Sequence, residues 1–122
     1  MLITKKYLQE HPNHIFVFGD NLIHKGYGGA ASLRDEPNTY GFVTKKLPNN
    51  NDNSFYKTED YLVVFNQELS KLEQYMFKCE NSLFLISQLG GGLANKYNIW
   101  EKVIKKELIK LPLRHNNVKL LF

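Results

Sequence analysis

The stretch Phe16–Ser32, FVFGDNLIHKGYGGAAS, opens on an apolar run, breaks at Gly19 and closes on Gly26, Gly28 and Gly29 followed by two alanines. Extended back to His14, the run reads HIFVF, β-branched at Ile15 and Val17 and bounded by Asn13 and Gly19. That pattern predicts a short buried strand over His14–Phe18. Glycine in regular structure costs roughly 0.5–1 kcal/mol per site relative to alanine. Three of them within four residues, where a short helix over Gly29–Asp35 is due to begin ahead of Pro37, predict a backbone that something must approach closely.

Strands and helices alternate from there. Tyr40–Thr44, YGFVT, predicts a second strand. LPNNNDNSFYK, Leu47–Lys57, is polar and asparagine-rich, and predicts a loop that could act as a lid. Glu59–Cys79 predicts a helix. Leu62, Phe65, Leu69, Leu72, Met76 and Cys79 form its apolar stripe, Thr58 is its N-cap, and Glu59 and Asp60 suit the positive end of its dipole. Ser82–Ser87, SLFLIS, is apolar throughout its middle, as a parallel strand covered on both faces is.

A second glycine loop, QLGGGLANKYN, follows. After it the spacing predicts a helix from Ile99 to about Leu111. Asn98 and Glu101 stand at capping-box distance, Trp100, Val103, Ile104, Leu108 and Leu111 form the inner face, and Pro112 is the stop. Asn117–Phe122, NVKLLF, predicts a last strand. The expected fold is therefore α/β: one domain over residues 1–122, a three-layer α/β/α sandwich around a mostly parallel sheet. Right-handed crossovers would place both glycine loops at the carboxyl edge, where open α/β sheets bind ligands.

Composition narrows the function classes. The chain of 122 residues has the size of one domain and carries a net charge of +4. Many of its lysines fall in KVIKKELIK, which reads as a solvated helix face or as a pull on phosphorylated ligands or nucleic acid. Cys79 is the single cysteine, so no disulfide can form within the chain. No apolar run approaches the roughly 18 residues of a membrane span, and the first residues lack an apolar signal core. A cytoplasmic protein without membrane contact is expected. His11, His14 and His115 have no metal-ligand spacing with Cys79, and neither metal nor cofactor is expected.

Gly26–Ala31 and Gly90–Ala94 each follow a strand and precede a helix. Unpaired N–H groups at such places can surround a phosphate, and two facing loops would suit a diphosphate flanked by sugars. Neither loop has the Gly-Lys-Ser/Thr ending of a Walker loop or the dinucleotide GxGxxG pattern. Around them stand residues with more than one reading. Asp20 could orient a ribose hydroxyl, activate a water or cap its own turn. Lys45 could contact phosphate or ribose, attack an anomeric carbon or lie solvated. His24 is either an acid–base group or an exposed loop residue. Tyr27, Tyr40 and Tyr97 could stack on a base or pack internally, Tyr97 being best placed after the second loop.

IFVFGDNLIHKGYGGAA, then YGFVTKK, a long helix and LFLISQLGGGLANKYNIWEKV, together resemble the macrodomain superfamily, most of all its small phage-type macro-like proteins and its terminal ADP-ribose glycohydrolase branch. The resemblance covers about Ile15 to Leu108. It implies binding of ADP-ribose or a related nucleotide, free or attached to a macromolecule, in a host cytoplasm if the chain is phage-encoded. By position, Gly19 ends the first strand and Asn21 matches the asparagine that contacts the distal ribose. Gly28, Gly29 and Ala30 match the wall near ribose and diphosphate, and Gly90, Gly91, Gly92 and Leu93 the phosphate-holding loop. Lys45, with Lys46 one register away, matches the strand-end lysine that acts on ribose. The branch has an aspartate after the second loop and a cysteine within it, where this chain has Ala94, Asn95 and Gly91. Binding or sequestering of the nucleotide is thus the first expectation. Hydrolysis by Lys45 and Asp20 is the alternative, and nucleic-acid binding the third reading.

Overall fold

Ile15 and Val17 alternate with Phe16 and Phe18, and all four are buried. A strand with two apolar faces must lie between two covering layers. In the computed structural model, which describes residues 2–122, this strand is β1 (His14–Asn21). It pairs in parallel with β2 (Thr39–Lys45) and β3 (Leu83–Ile86), and β4 (Val118–Leu120) pairs in parallel with β3. The sheet has four strands in the order β2-β1-β3-β4, all parallel, as the alternation predicts. Phe16 stands opposite Thr39 on one side and Leu85 on the other.

β1 does not break at Gly19. It runs on to Asn21, with Gly19 opposite Phe42 and Asp20 opposite Val43, before a bulge sets Asn21 opposite Lys45. The glycine serves a close approach instead: a Cβ here would lie 3.1 Å from Thr44 Oγ1. The extension carries Asp20 and Asn21 to the carboxyl edge of the sheet as strand residues.

One face of the sheet presents Ile15, Val17, Phe42, Phe84 and Ile86 to α2 (Thr58–Lys78) and to the segment around Trp100–Leu111. The other presents Phe16, Phe18 and Leu85 to Ile3 and Leu8 of the N-terminal segment and to Ala31. The β1–β2 connection thus covers one face and α2 the opposite one. β1 leads on to β2 on one side and β3 to β4 on the other, so a crevice opens between the loops that follow β1 and β3. Among the described residues no helix is long and apolar enough to cross a membrane.

α1 (Lys5–Glu10) has no counterpart in the sequence expectations; a six-residue helix is too short to show periodicity. Thr4 caps it by accepting from Tyr7 N–H at 3.1 Å. The Asn38 amide ties it down, reaching the carbonyls of Leu8, His11 and His14 at 2.9–3.1 Å.

The helices differ from expectation in detail. α2 buries Tyr61, Phe65, Leu72 and Met76, while Leu62 is exposed. The contact row is rotated because Tyr61 reaches the edge strand, where its hydroxyl donates to the Val43 carbonyl at 2.6 Å. Glu68 accepts from Val43 N–H at 2.7 Å, so both outward groups of that residue are satisfied. Lys57, not Thr58, is the N-cap residue of α2, and the Thr58 hydroxyl donates to the Tyr97 carbonyl instead.

The helix expected over Ile99–Leu111 is a π-turn, Trp100–Ile104, continued by α3 (Lys105–Leu108). Its inner face is buried as expected. Asn98 does not cap it, since its backbone is left-handed at φ 60°. Asn95 does: its Oδ1 accepts from Trp100 N–H, and its amide donates to the Glu101 carboxylate, each at 3.0 Å. Pro112 opens a further short helix, α4 (Leu111–Arg114), rather than ending the preceding one, because a proline lacks only an N–H that the first turn leaves unpaired anyway.

Candidate functional site

A cavity of about 460 Å³ opens at the carboxyl ends of β1, β2 and β3. Its floor is the strand ends Gly19–Asn21, Thr44–Lys45 and Ser87. One wall is the first glycine loop through Ala31, and the other is Gly90 with Gly92, Leu93 and Ala94. Of the residues that sequence places at the site, Gly91 and Tyr97 do not line this cavity, nor do His24, Tyr40 and Lys46; the rest do. Beside Gly91, the Gln88 side chain occupies the space where a Cβ on that residue would go, 2.6 Å from Cγ. Tyr97 turns away to donate to the Asp52 carboxylate, which also holds Lys96 Nζ at 2.7 Å. Tyr27 lines the cavity and bonds Asp35 at 2.9 Å, whereas Tyr40 stacks on Tyr75.

The glycines answer to conformation. Gly26, Gly29 and Gly90 have φ of 97°, 57° and 73°, values that side chains with a Cβ rarely adopt. Neither loop runs straight into a regular helix. The first loop runs into a five-residue 3-10 turn, Gly29–Leu33, and the second into a three-residue one, Asn95–Tyr97. Single turns of this kind have little aligned dipole. Any anion in the cavity is therefore met by loop N–H groups and side-chain charges, not by a helix terminus.

Asp20 is buried at the cavity floor. Its carboxylate accepts from Arg34 Nη2 at 2.7 Å and Nη1 at 3.2 Å, from His24 Nδ1 at 2.8 Å and from Asn21 N–H at 2.8 Å. Burial pushes the carboxyl pKa up, but the bonds from Arg34, His24 and Asn21 outweigh it and hold the group below its ordinary value. The carboxylate lies directly over Gly41, where any Cβ would collide with its Oδ2. Arg34 also donates from Nε to the Gly26 carbonyl at 2.7 Å and from Nη2 to the Lys25 carbonyl at 3.3 Å. It thereby ties the floor of the cavity to the glycine loop above it. His24, with a left-handed backbone at φ 54°, completes the tie from the solvent side.

Lys45 is buried at the end of β2. Its Nζ donates to the Asn49 carbonyl at 2.9 Å and stands 4.6 Å from the centre of the Phe55 ring. Burial lowers its pKa from the ordinary lysine value. Among the described residues no carboxylate forms a salt bridge with it, in contrast to Arg34. Asn21 turns its side chain into its own loop, donating to the Lys25 carbonyl at 2.7 Å and accepting from Ile23 N–H at 3.2 Å.

Lys25, Thr44, Pro48 and Ser87 line the cavity without having been read from sequence, but the missed residues with most chemistry are Arg34 and Gln88. Arg34 had a signal: a strand-end acid destined for burial needs a cation, and Arg34 is the only arginine before Arg114. Gln88 had none beyond its place between a strand and a glycine loop. Among the described residues no group of three or more histidine, cysteine or acidic side chains could hold a metal.

Residues 1–96 match the profile of DUF7831, a family of unknown function, and the chain belongs to that family. The matched region ends two residues beyond the last residue of the cavity wall, Ala94. No curated protein and no solved structure matches the chain.

Proposed function

We propose that this DUF7831 chain binds ADP-ribose or a related phosphorylated nucleotide in the cavity between its two glycine loops, as a macro-like binding or sequestering domain. The observation that carries the reading is Lys45. A buried ammonium with only a carbonyl and a ring for company is short of a countercharge, and a phosphate in the cavity supplies one. Glycine N–H groups on both walls offer uncharged donors to the same phosphate, and the crevice between the loops after β1 and β3 is where open α/β sheets hold nucleotides. Apolar clusters on both faces of the sheet support the three-layer arrangement that belongs to this reading.

Calorimetric titration with ADP-ribose, with NAD and AMP as comparators, tests it. Micromolar binding selective for ADP-ribose is expected. Absence of heat with all three removes the nucleotide from the cavity.

Removal of ADP-ribose from a target is the second reading, favoured by one observation. The lowered pKa of Lys45 leaves more of its amine free to attack an anomeric carbon. Asp20 argues the other way, since a carboxylate held ionised by Arg34 and His24 is a poor proton acceptor. Release of ADP-ribose from a modified protein, lost in Lys45→Ala, would establish turnover.

A further inference from the structure

A second cavity, of about 310 Å³, adjoins the first and reaches the face of the sheet that α1 covers. Ile3, Phe16, Leu33 and Leu121 give it apolar walls. The two cavities share Gly29, Ala30, Ser87 and Gln88, so they are compartments of one crevice. Their chemistry differs. The first is lined by Asp20, Lys25, Arg34 and Lys45, and the second by no ionisable side chain among the described residues. A ligand that fills both is charged at one end and uncharged at the other.

Gln88 stands where the compartments meet. Its position is fixed by fit, because its side chain lies across Gly91, where a Cβ would come within 2.6–2.9 Å of Cγ, Cδ and Nε2. The middle of the second glycine loop carries no side chain, and Gln88 fills that room from three residues upstream. The neighbouring Ser87 commits its hydroxyl to the Val17 carbonyl at 2.7 Å. Gln88 is exposed, and its carboxamide, lying against Gly91, has no side-chain hydrogen bond among the described residues. A carboxamide offers donors and an acceptor without charge, so it can bond either half of a ligand and repels no phosphate.

We infer that Gln88 is a specificity-determining residue: its carboxamide bonds the ligand where it passes from the charged compartment to the uncharged one, and so favours two-part ligands over those that fill the first compartment alone. The inference rests on the binding reading above. Calorimetry with two probes tests it, ADP-ribose for both compartments and ribose 5-phosphate for the first. Wild-type protein prefers ADP-ribose. Gln88→Ala weakens ADP-ribose by about five- to tenfold, the worth of one hydrogen bond, and leaves ribose 5-phosphate within about twofold. Gly91→Ala, which retains the glutamine but pushes its side chain aside, produces the same selective loss. Equal changes for the two probes in Gln88→Ala, or no change for either, overturn the inference, as does full selectivity in Gly91→Ala. Wild-type protein that binds both probes equally also overturns it while the binding reading stands. Wild-type protein that binds neither refutes the binding reading, and this inference falls with it.

Discussion

Replacing Asp20 by asparagine separates a structural ion pair from a decorative one. The carboxylate has a side-chain exposure of 2% and faces an Arg34 side chain exposed by 11%. Removing one member of a fully buried pair costs about 3–5 kcal/mol, because the other charge is left uncompensated. Asparagine keeps an acceptor oxygen and Arg34 keeps its bonds to the Gly26 and Lys25 carbonyls, so about 2–3 kcal/mol is expected here. For a chain of this length that corresponds to a fall in melting temperature of about 6–15 °C. Urea denaturation of wild type, Asp20→Asn, Arg34→Gln and the double variant gives the coupling directly, with about 2 kcal/mol expected between the two positions. Additive effects, or an Asp20→Asn protein within about 0.5 kcal/mol of wild type, would refute the reasoning. The pH dependence has a definite sign. A carboxyl whose folded pKa is depressed stabilises in full above its unfolded value, 3.8, and loses that contribution as pH falls through the folded value. The gap between wild type and Asp20→Asn should therefore be constant at neutral pH and close in acid.

Other outcomes follow from the same geometry. Lys45→Met should weaken ADP-ribose by about 10- to 100-fold in calorimetry, the range of a charge-assisted hydrogen bond, without lowering the melting temperature. A bound anion holds the lysine proton that burial loosens. Affinity should thus fall as pH rises through the depressed pKa of free Lys45, and Lys45→Met should abolish that slope in a titration series. Gly41→Ala sets a methyl group on the Asp20 carboxylate and should cost about 2–4 kcal/mol in urea denaturation. Tyr61→Phe strands the Val43 carbonyl on the edge strand and should cost about 1–2 kcal/mol in the same measurement.

β1, β2 and β3 were legible because each has an apolar run with a β-branched or aromatic centre, and β1 and β3 are buried on both faces, whereas β4, centred on exposed Lys119, was marked only by its place after the last helix. Glycine at strand ends likewise marked the cavity, since left-handed backbone at Gly26 and Gly90 has few other tenants. What failed depended on contacts and backbone turns that residue spacing does not record. The rotation of α2 is set by Tyr61 meeting Val43, the capping role of Asn95 by the left-handed turn at Asn98, and the diversion of Tyr97 by Asp52. Spacing along the chain carries no record of these partners. Gly19 misled for a related reason, as a glycine that admits Thr44 looks in sequence like one that ends a strand.

The strand order also governs how this chain can come together in time. β1 is central, yet β3, one of its two partners, begins only at Leu83, and the apolar faces of Val17 and Phe16 close on Ile86 and Leu85. A chain emerging from the ribosome holds this strand half-paired while some sixty residues of crossover and helix are made, with the six-residue α1 too short to form before it has a surface to dock on. Parallel pairings of long sequence separation fold slowly and leave sticky intermediates exposed. The first apolar run of the sequence thus waits through most of the chain for its second partner, and substitutions that delay β3 should show up as lost yield during synthesis before they show up as lost stability.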